Sequence, residues 1–422
     1  MTPGALPDGA THGTPGGTPG GAPGGTPLAS PISPPGPPRF AATLGVVTHV
    51  PHWRDAGGAP RAYEPYVREM DVWARLFARV RVCAPEGEGA APGSLAPYAA
   101  LNVTWRPACY TMALGARAQL RRLRQMPALA AAITRLARES DLVLLRSPGH
   151  PALVGRVIAR AMAAPTITKW AGLFDAFEGE RVPSIVERHL VRLGRDPALV
   201  YGPSPAPHLI SFPPALMTRA ELSRAAAASA HREWRPPWRV LSVGRLLGVK
   251  GFDLALRGLA RLREVDPDLD WRYTLVGGGP EESALRALVA RSGIADRVEM
   301  PGPLPFDAVL DRYAAAHLVI MPGVKEGWPK VIAESWAHGA VPVAAAAGIV
   351  PWIMEGKDAG VTFPPDPDSL AATLRTLMRA PARLTSMSVN AQRLVDTLSL
   401  ESFAERLEGV LVEWCGLERH GA

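Results

Sequence analysis

MPGVKEGWPKVIAESWAHGAVPVA, residues 321–344, is the stretch that decides how this chain is read. A strand end leads into a tight turn. Pro329 stands at the expected first helical position, an amphipathic helix follows, and Gly339 stops it. Glu326 and Glu334 lie eight residues apart across that turn. Such a turn aims free backbone N–H groups and the positive helix end above a sheet, where an anion fits. Carboxylates on either side can grip sugar hydroxyls, so the arrangement suits a nucleotide-sugar.

Outward from this stretch, short apolar runs alternate with helical ones. WRVLSVG (238–244), YTLVG (273–277), RVEMPG (297–302), HLVIMPG (317–323), VPVAAA (341–346) and GVTFP (360–364) read as strands. Helices are expected at 251–264, 281–292, 306–316, 329–338 and 367–380. The same rhythm fills the earlier half, with strand candidates at 43–50, 79–85, 101–107, 141–147, 165–172 and 198–204. Runs that are apolar throughout and interleaved with helices imply parallel strands covered on both faces. The fold class is therefore α/β.

The expected divisions are a Gly/Pro/Thr-rich tail (1–38), a first domain (39–212), a linker (213–237), a second domain (238–395) and a C-terminal helix (396–422). The tail, with GTPGGTPGGAPGGTP, has no periodic apolar positions and is expected to be disordered. The last helix, near 400–415, could pack on either domain.

Gly244-Arg245-Leu246-Leu247-Gly248-Val249-Lys250-Gly251 follows a strand and opens a helix. Arg245 and Lys250 can converge on one point above the sheet, where two cations would neutralise a departing diphosphate. The plain alternative is a pair of solvated surface cations. GxxxxGK[ST] is not satisfied, so this is no Walker loop. Gly277-Gly278-Gly279-Pro280 is no dinucleotide fingerprint either, because Glu282 stands where the last glycine belongs. That run reads first as a tight strand-to-helix turn.

With these pieces together, the chain resembles the retaining GT-B glycosyltransferases of family GT4. The resemblance covers nearly all of residues 40–415 and is strongest from about 238 to 380. It rests on the GRL…KG element at Gly244–Gly251, on LVGGGP, on RVEMPG and on the E-x7-E pair Glu326/Glu334. It implies two Rossmann-like domains facing across a cleft and transfer of a sugar from a nucleotide-sugar with retained configuration. Carried over residue by residue, it implies that Arg245 and Lys250 hold the donor diphosphate. Glu334 would bind ribose hydroxyls, Glu326 would contact the donor sugar, and Gly302 would lie by the nucleobase. The loop with Gly57 and Gly58 would come near the phosphates. His150 would face the donor sugar, although a histidine after a strand also serves as a cap or packs. Lys169 and Trp170 would line the acceptor side or pack.

One departure stands out. Where the family commonly has E-x-F-G, this chain has Glu326-Gly327-Trp328-Pro329. Pro329 has no N–H to donate, so the amides of Lys330 and Val331 are expected to cradle the phosphate. The resemblance implies no cofactor and no metal, because the cations substitute for one. It implies a carbohydrate, lipid-linked or small-molecule acceptor and no nucleic-acid partner.

Two other readings keep the same architecture. A nucleotide-sugar epimerase would convert donor without acceptor, and a non-catalytic nucleotide-sugar-binding protein would bind without turnover. A third reading places the basic, partly amphipathic segment 116–140 on an anionic membrane surface. Against it stands a solvated helical face, with Pro127 expected to break the helix.

Composition bounds these readings. The 422 residues suffice for two cores, and 47% hydrophobic with 20% charged residues is ordinary for a globular protein. The net charge of +7 fits an anionic substrate or surface, and equally an arginine-rich coding bias. Cys83, Cys109 and Cys415 form neither a disulfide framework nor a zinc pattern. A cytoplasmic setting is expected, without a spanning helix or a secretory signal.

Overall fold

The computed structural model describes residues 37–89, 95–111, 116–177, 180–214 and 217–420. The expected disordered tail thus lies, up to residue 36, outside the described residues. Strand β1 (Phe40–Val47) opens the first half. The short strands β2 (His52–Arg54) and β3 (Pro60–Tyr63) lead into helix α1 (Glu64–Leu76), then β4 (Phe77–Pro85), β5 (Leu95–Pro97) and β6 (Val103–Ala108). Helix α2 (Ala116–Arg138) precedes β7 (Leu142–Ser147), and α3 (His150–Ala161) precedes β8 (Thr166–Trp170). Helix α4 (Val182–Leu193), β9 (Ala198–Val200) and β10 (Leu209–Ser211) complete it.

Seven of these strands form one sheet in the order β10-β9-β8-β7-β1-β4-β6, every pairing parallel. Strand β7 is buried at every residue, as a strand covered on both faces must be. The connections β6→β7, β7→β8 and β8→β9 step the same way across the sheet. Right-handed crossovers therefore put α2, α3 and α4 on one face. The β1→β4 connection steps the other way and puts α1 on the opposite face. A small antiparallel sheet, β2-β3-β5, is an addition that apolar periodicity did not announce.

Helix α5 (Arg219–Ser229) begins at a capping box, with Thr218 and Glu221 each accepting from the other's backbone N–H. It leads into β11 (Trp238–Val243), α6 (Phe252–Val265), β12 (Trp271–Val276), α7 (Glu282–Arg291), β13 (Val298–Gly302) and α8 (Phe306–Ala315). Then follow β14 (Leu318–Met321), α9 (Lys330–Ala337), β15 (Val341–Ala345), α10 (Val350–Met354), β16 (Val361–Phe363) and α11 (Pro367–Met378). Helices α12 (Pro381–Val395) and α13 (Leu400–Cys415) end the chain. The second sheet runs β13-β12-β11-β14-β15-β16, again parallel throughout. Two Rossmann-like sheets give the GT-B architecture.

Each sheet has its own core. Trp238, Trp271, Leu256, Leu259 and Leu374 centre the second, and Trp73, Met70, Phe77 and Leu144 the first. Helix α13, far away in sequence, lays Phe403, Leu407 and Leu411 into the first core against α1. Helix α2 continues through Pro127 instead of breaking there. Its second half buries Leu129, Ile133 and Leu136, and that packing outweighs one missing helix hydrogen bond.

Candidate functional site

In the second sheet the chain winds outward from β11 to β12 and β13, then returns to β14 and winds the other way. Loops after β11 and β14 therefore part from one another and leave a crevice at their carboxyl ends. Both decisive sequence elements emerge there. Lys250, closing a short turn after β11, donates to Glu326 Oε1 at 2.5 Å from the loop after β14. Arg245 stays exposed on the β11 side. It helps to line a pocket of about 720 Å³ with Gly277, Gly278, Gly279, Pro303 and Leu304. That volume is in the range of small-molecule sites.

The glycine run forms a wall because the backbone passes too close for side chains. A Cβ on Gly277 would stand 1.8 Å from the Gly244 carbonyl oxygen, and one on Gly279 2.4 Å from that of Leu246. Their φ angles of 147° and 158° also favour glycine. Gly302 accepts from the Gly277 N–H at 3.1 Å, which puts the Gly302–Leu304 segment beside the same pocket.

Helix α9 begins one residue later than expected. Pro329 is its N-cap and Lys330 its first helical residue. Lys330 and Val331 hold the first two positions, where a helix has no acceptor of its own for the amides. Val331 packs towards Leu241 and Val276. One turn on, Glu334 accepts from the buried Tyr313 hydroxyl at 2.7 Å. The Tyr313 ring stacks on His338, and His338 is tied by Nδ1 to the Glu334 carbonyl oxygen at 2.9 Å. Burial pushes the Glu334 carboxyl up, opposed by the Tyr313 bond and by Lys330. Burial likewise lowers Lys330, opposed by Glu334 and by Glu69 of α1.

The Glu326–Pro329 turn also presses on the first half of the molecule. A Cβ on Gly327 would lie 2.7 Å from Gly172 Cα, so only glycine lets the two backbones meet. Trp328 packs on Tyr201 with ring centroids 5.8 Å apart, inside an apolar cluster that also holds Leu173 and Ile349. Beneath Tyr201 lies Lys169, fully buried, its Nζ 3.6 Å from Glu69 and ringed by Tyr201, Phe212 and Phe403. Arg146 completes this knot at 2.6 Å from Glu69. Burial drives Lys169 down to about 8, although Glu69 pulls the other way. Burial also works to raise Glu69, but Lys169 and Arg146 hold its carboxyl below the usual range.

The first sheet has its own point of reversal, between β1 and β7. His49 follows β1, and its ring lies 3.0 Å from where a Gly149 side chain would begin. Its Nδ1 is buried without a hydrogen-bond partner. His150 starts α3, half-buried beside Tyr110. Burial lowers its pKa, and Arg122 and Arg181 lower it further. Glu187 caps this end by accepting from Ser147 Oγ at 2.5 Å and from Gly149 N–H at 2.8 Å.

Of the expected site residues, Lys250 and Glu326 meet directly, Arg245 lines the pocket that Gly302 adjoins, and Lys330, Val331 and Glu334 share the start of α9. Gly57 and Gly58 do not offer their amides to these residues. They form the exposed β2–β3 turn, where the Gly57 N–H donates to Asp55 Oδ1 and the Gly58 N–H to the Asp55 carbonyl. Tyr63, at the start of α1, faces the crevice residues instead. Its phenol, raised mainly by burial, also feels Arg245 and Glu334. Lys169 and Trp170 line no surface: both are buried, and Trp170 packs on Phe174 while donating to the Leu173 carbonyl. Sequence reading missed Tyr63, Glu69, Arg146, Tyr201 and Tyr313, and it used only the backbone of Lys330.

Residues 237–380 match the family model described as glycosyl transferases group 1. D-inositol 3-phosphate glycosyltransferase of Thermomonospora curvata is 31% identical over 259 residues, 59% of this chain and 58% of that one. The enzyme of the same name from Kineococcus radiotolerans is 33% identical over 267 residues, covering 58% and 56%. The chain thus spans less than two thirds of the curated relatives it matches. Among solved structures, sucrose-phosphate synthase from Thermosynechococcus elongatus superposes with a TM-score of 0.63 at 17% identity, over 89% of this chain and 99% of that one. Anabaena HepE in complex with UDP gives 0.61 at 17% identity, over 87% and 99%. These likenesses show the GT-B fold.

Proposed function

We propose that this chain, whose residues 237–380 match the group 1 glycosyltransferases, moves a sugar from a nucleotide-sugar to an acceptor hydroxyl with retention of configuration. The observation that carries the reading is the Lys250–Glu326 pair at the reversal of the second sheet, with Arg245 of the same β11 loop lining the adjoining pocket. In this reading the diphosphate lies over Arg245, Lys250 and the start of α9. Cations and oriented amides aimed at charge that develops on the leaving group are usually the largest catalytic contribution. They supply positive charge that a metal ion supplies in other transferases, and the reading assigns no metal or cofactor.

Glu334, held by Tyr313, takes the ribose hydroxyls. Glu326, paired with Lys250, stands by the donor sugar, and the Gly302–Leu304 wall borders the base. Trp328 and Gly327 fix the turn against the other domain, so the E-G-W-P departure keeps Glu326 in place. The acceptor enters from the first sheet, near His49 and His150. The names of the relatives support a small polyol-like acceptor, with glycans and lipid-linked sugars as the other classes. The reading places the protein in the cytoplasm; among the described residues no helix is long and apolar enough to cross a membrane.

The test is a screen of UDP-, GDP- and ADP-sugars for thermal stabilisation and for donor turnover with and without acceptors. One donor should stabilise the fold and release nucleotide faster when its acceptor is present. Stabilisation by none of them would overturn the reading. Conversion of donor to an epimer without acceptor would replace it with the epimerase, and binding without turnover with the binding protein.

A further inference from the structure

The connection between the two halves, read from the sequence as a linker, carries a cation in an unusual setting. Arg232 follows α5 and turns back into the second domain. Its Nη1 donates to the Gly339 carbonyl at 2.7 Å. Its Nη2 donates to the carbonyls of Ala314 and His338, each at 2.7 Å, and to that of Tyr313 at 3.3 Å. Among the described residues these four backbone oxygens are its hydrogen-bond acceptors, and none is a carboxylate. Trp234 lies against the guanidinium, with the ring centroid 5.5 Å from Cζ, and Nε is buried without an acceptor. Burial, helped by Arg239, pushes the group down to about 10.

The four carbonyls end two helices. Tyr313 and Ala314 stand in the last turn of α8, and His338 and Gly339 close α9. Carbonyls at a helix end lack partners within the helix and carry its negative pole. Two such ends repel when brought together, and the guanidinium between them is what lets them meet. What they hold lies within one turn. The Tyr313 hydroxyl donates to Glu334 at 2.7 Å, and its ring stacks on His338 with centroids 5.6 Å apart. Helix α8 thus runs from Val309, at the glycine-walled pocket, to Tyr313, at the carboxylate of α9. Withdrawing a cation from water without a counter-charge is costly. Here that cost is borne directly behind Glu334.

We propose that Arg232 is a positioning residue for donor binding: by tying the ends of α8 and α9 together it sets Tyr313 on Glu334 and so fixes the direction of that carboxylate. The inference rests on the proposed role of Glu334 at the donor ribose. Arg232 acts through Tyr313 and meets no donor itself. A clamp that served stability alone would lower the melting temperature and leave the nucleotide affinity of the folded molecules unchanged. A positioning residue weakens that affinity in molecules that are folded, and spares turnover once donor saturates the site.

The experiment compares the full wild-type chain with Arg232→Met and Arg232→Lys. Calorimetry measures affinity for UDP, GDP and ADP, and kcat is taken with the sugar donor of the nucleotide that binds. Arg232→Met should weaken that nucleotide at least about tenfold while kcat changes less than about twofold. Arg232→Lys keeps a cation between the helix ends and should return affinity to within about threefold of wild type. Arg232→Met combined with Tyr313→Phe should bind no worse than Arg232→Met alone, because both changes act on one carboxylate. If the methionine variant does not fold, Arg232→Gln, which can reach only one helix end, is measured in its place against the same outcomes. Unchanged affinity in the folded variant, or a double variant that shows the product of the two single effects, would overturn the proposal and leave the role of Glu334 standing. Wild type that binds none of the three nucleotides would overturn both.

Discussion

The two sheets are wound alike, yet their crevices use charge in opposite ways. In the second, Lys250 and Glu326 are paired with side-chain exposures of 30 and 15%, and Arg245 is open to solvent. Under the proposed function, an arriving diphosphate would find cations that can exchange one partner for another. In the first, the single carboxylate of Glu69 is shared by Arg146 and Lys169, with side-chain exposures of 9, 9 and 0%. Charges locked that deeply cannot be offered to a ligand without a large desolvation cost. Reversal of winding makes a crevice in either sheet; the depth of its charges decides whether they are available to an anion.

The sharpest way to break this contrast is Glu69→Ala, which leaves two buried cations uncompensated. Chemical denaturation should show a loss of about 3–5 kcal/mol. Loss below 1 kcal/mol would mean that the knot is not a closed charge system. Next in size is a pH effect. Lys169 sits at about 8 in the folded state against 10.5 ordinarily. Below pH 8 both states hold the proton; between about 8 and 10.5 the unfolded chain keeps it and the folded one sheds it. Stability from this group therefore rises with pH over that window, by up to roughly 3 kcal/mol. The difference between wild type and Lys169→Met at pH 7 and pH 9.5 measures it, and parallel curves would contradict it.

In the open crevice the effects should be on turnover. Lys250→Ala and Glu334→Ala should each reduce transfer at least about tenfold, the scale of one charge-assisted contact of ~1.5 kcal/mol. Wild-type rates in both would remove those roles. The smallest change is Tyr313→Phe. Glu334 would lose the hydrogen bond that orients it but keep its charge, a loss of about 1 kcal/mol in donor binding that raises donor KM about fivefold with little change in kcat. An unchanged KM would show that Tyr313 only packs.

Much of the fold was legible because its signals are local. Each of the twelve expected apolar runs overlaps a strand, and the helices at 251–264 and 367–380 shift by a residue or two. Strand β10 and the β2-β3-β5 sheet escaped, since three- and four-residue strands carry too little periodicity. Helix α2 runs through Pro127 because contacts from other elements hold it.

By itself, then, the sequence determined two parallel-sheet halves and a cluster of charged positions around Gly244–Gly251 and Glu326–Glu334. Both depend on spacing within a few turns of chain. Only the tertiary structure decided that Lys250 meets Glu326, 76 residues away, and that Tyr313 holds Glu334 from another helix. It alone turned Lys169 from a candidate surface residue into a buried one, and folded the Gly57–Gly58 amides back on Asp55. Burial and cross-chain distance depend on how whole elements pack, and no local pattern encodes them.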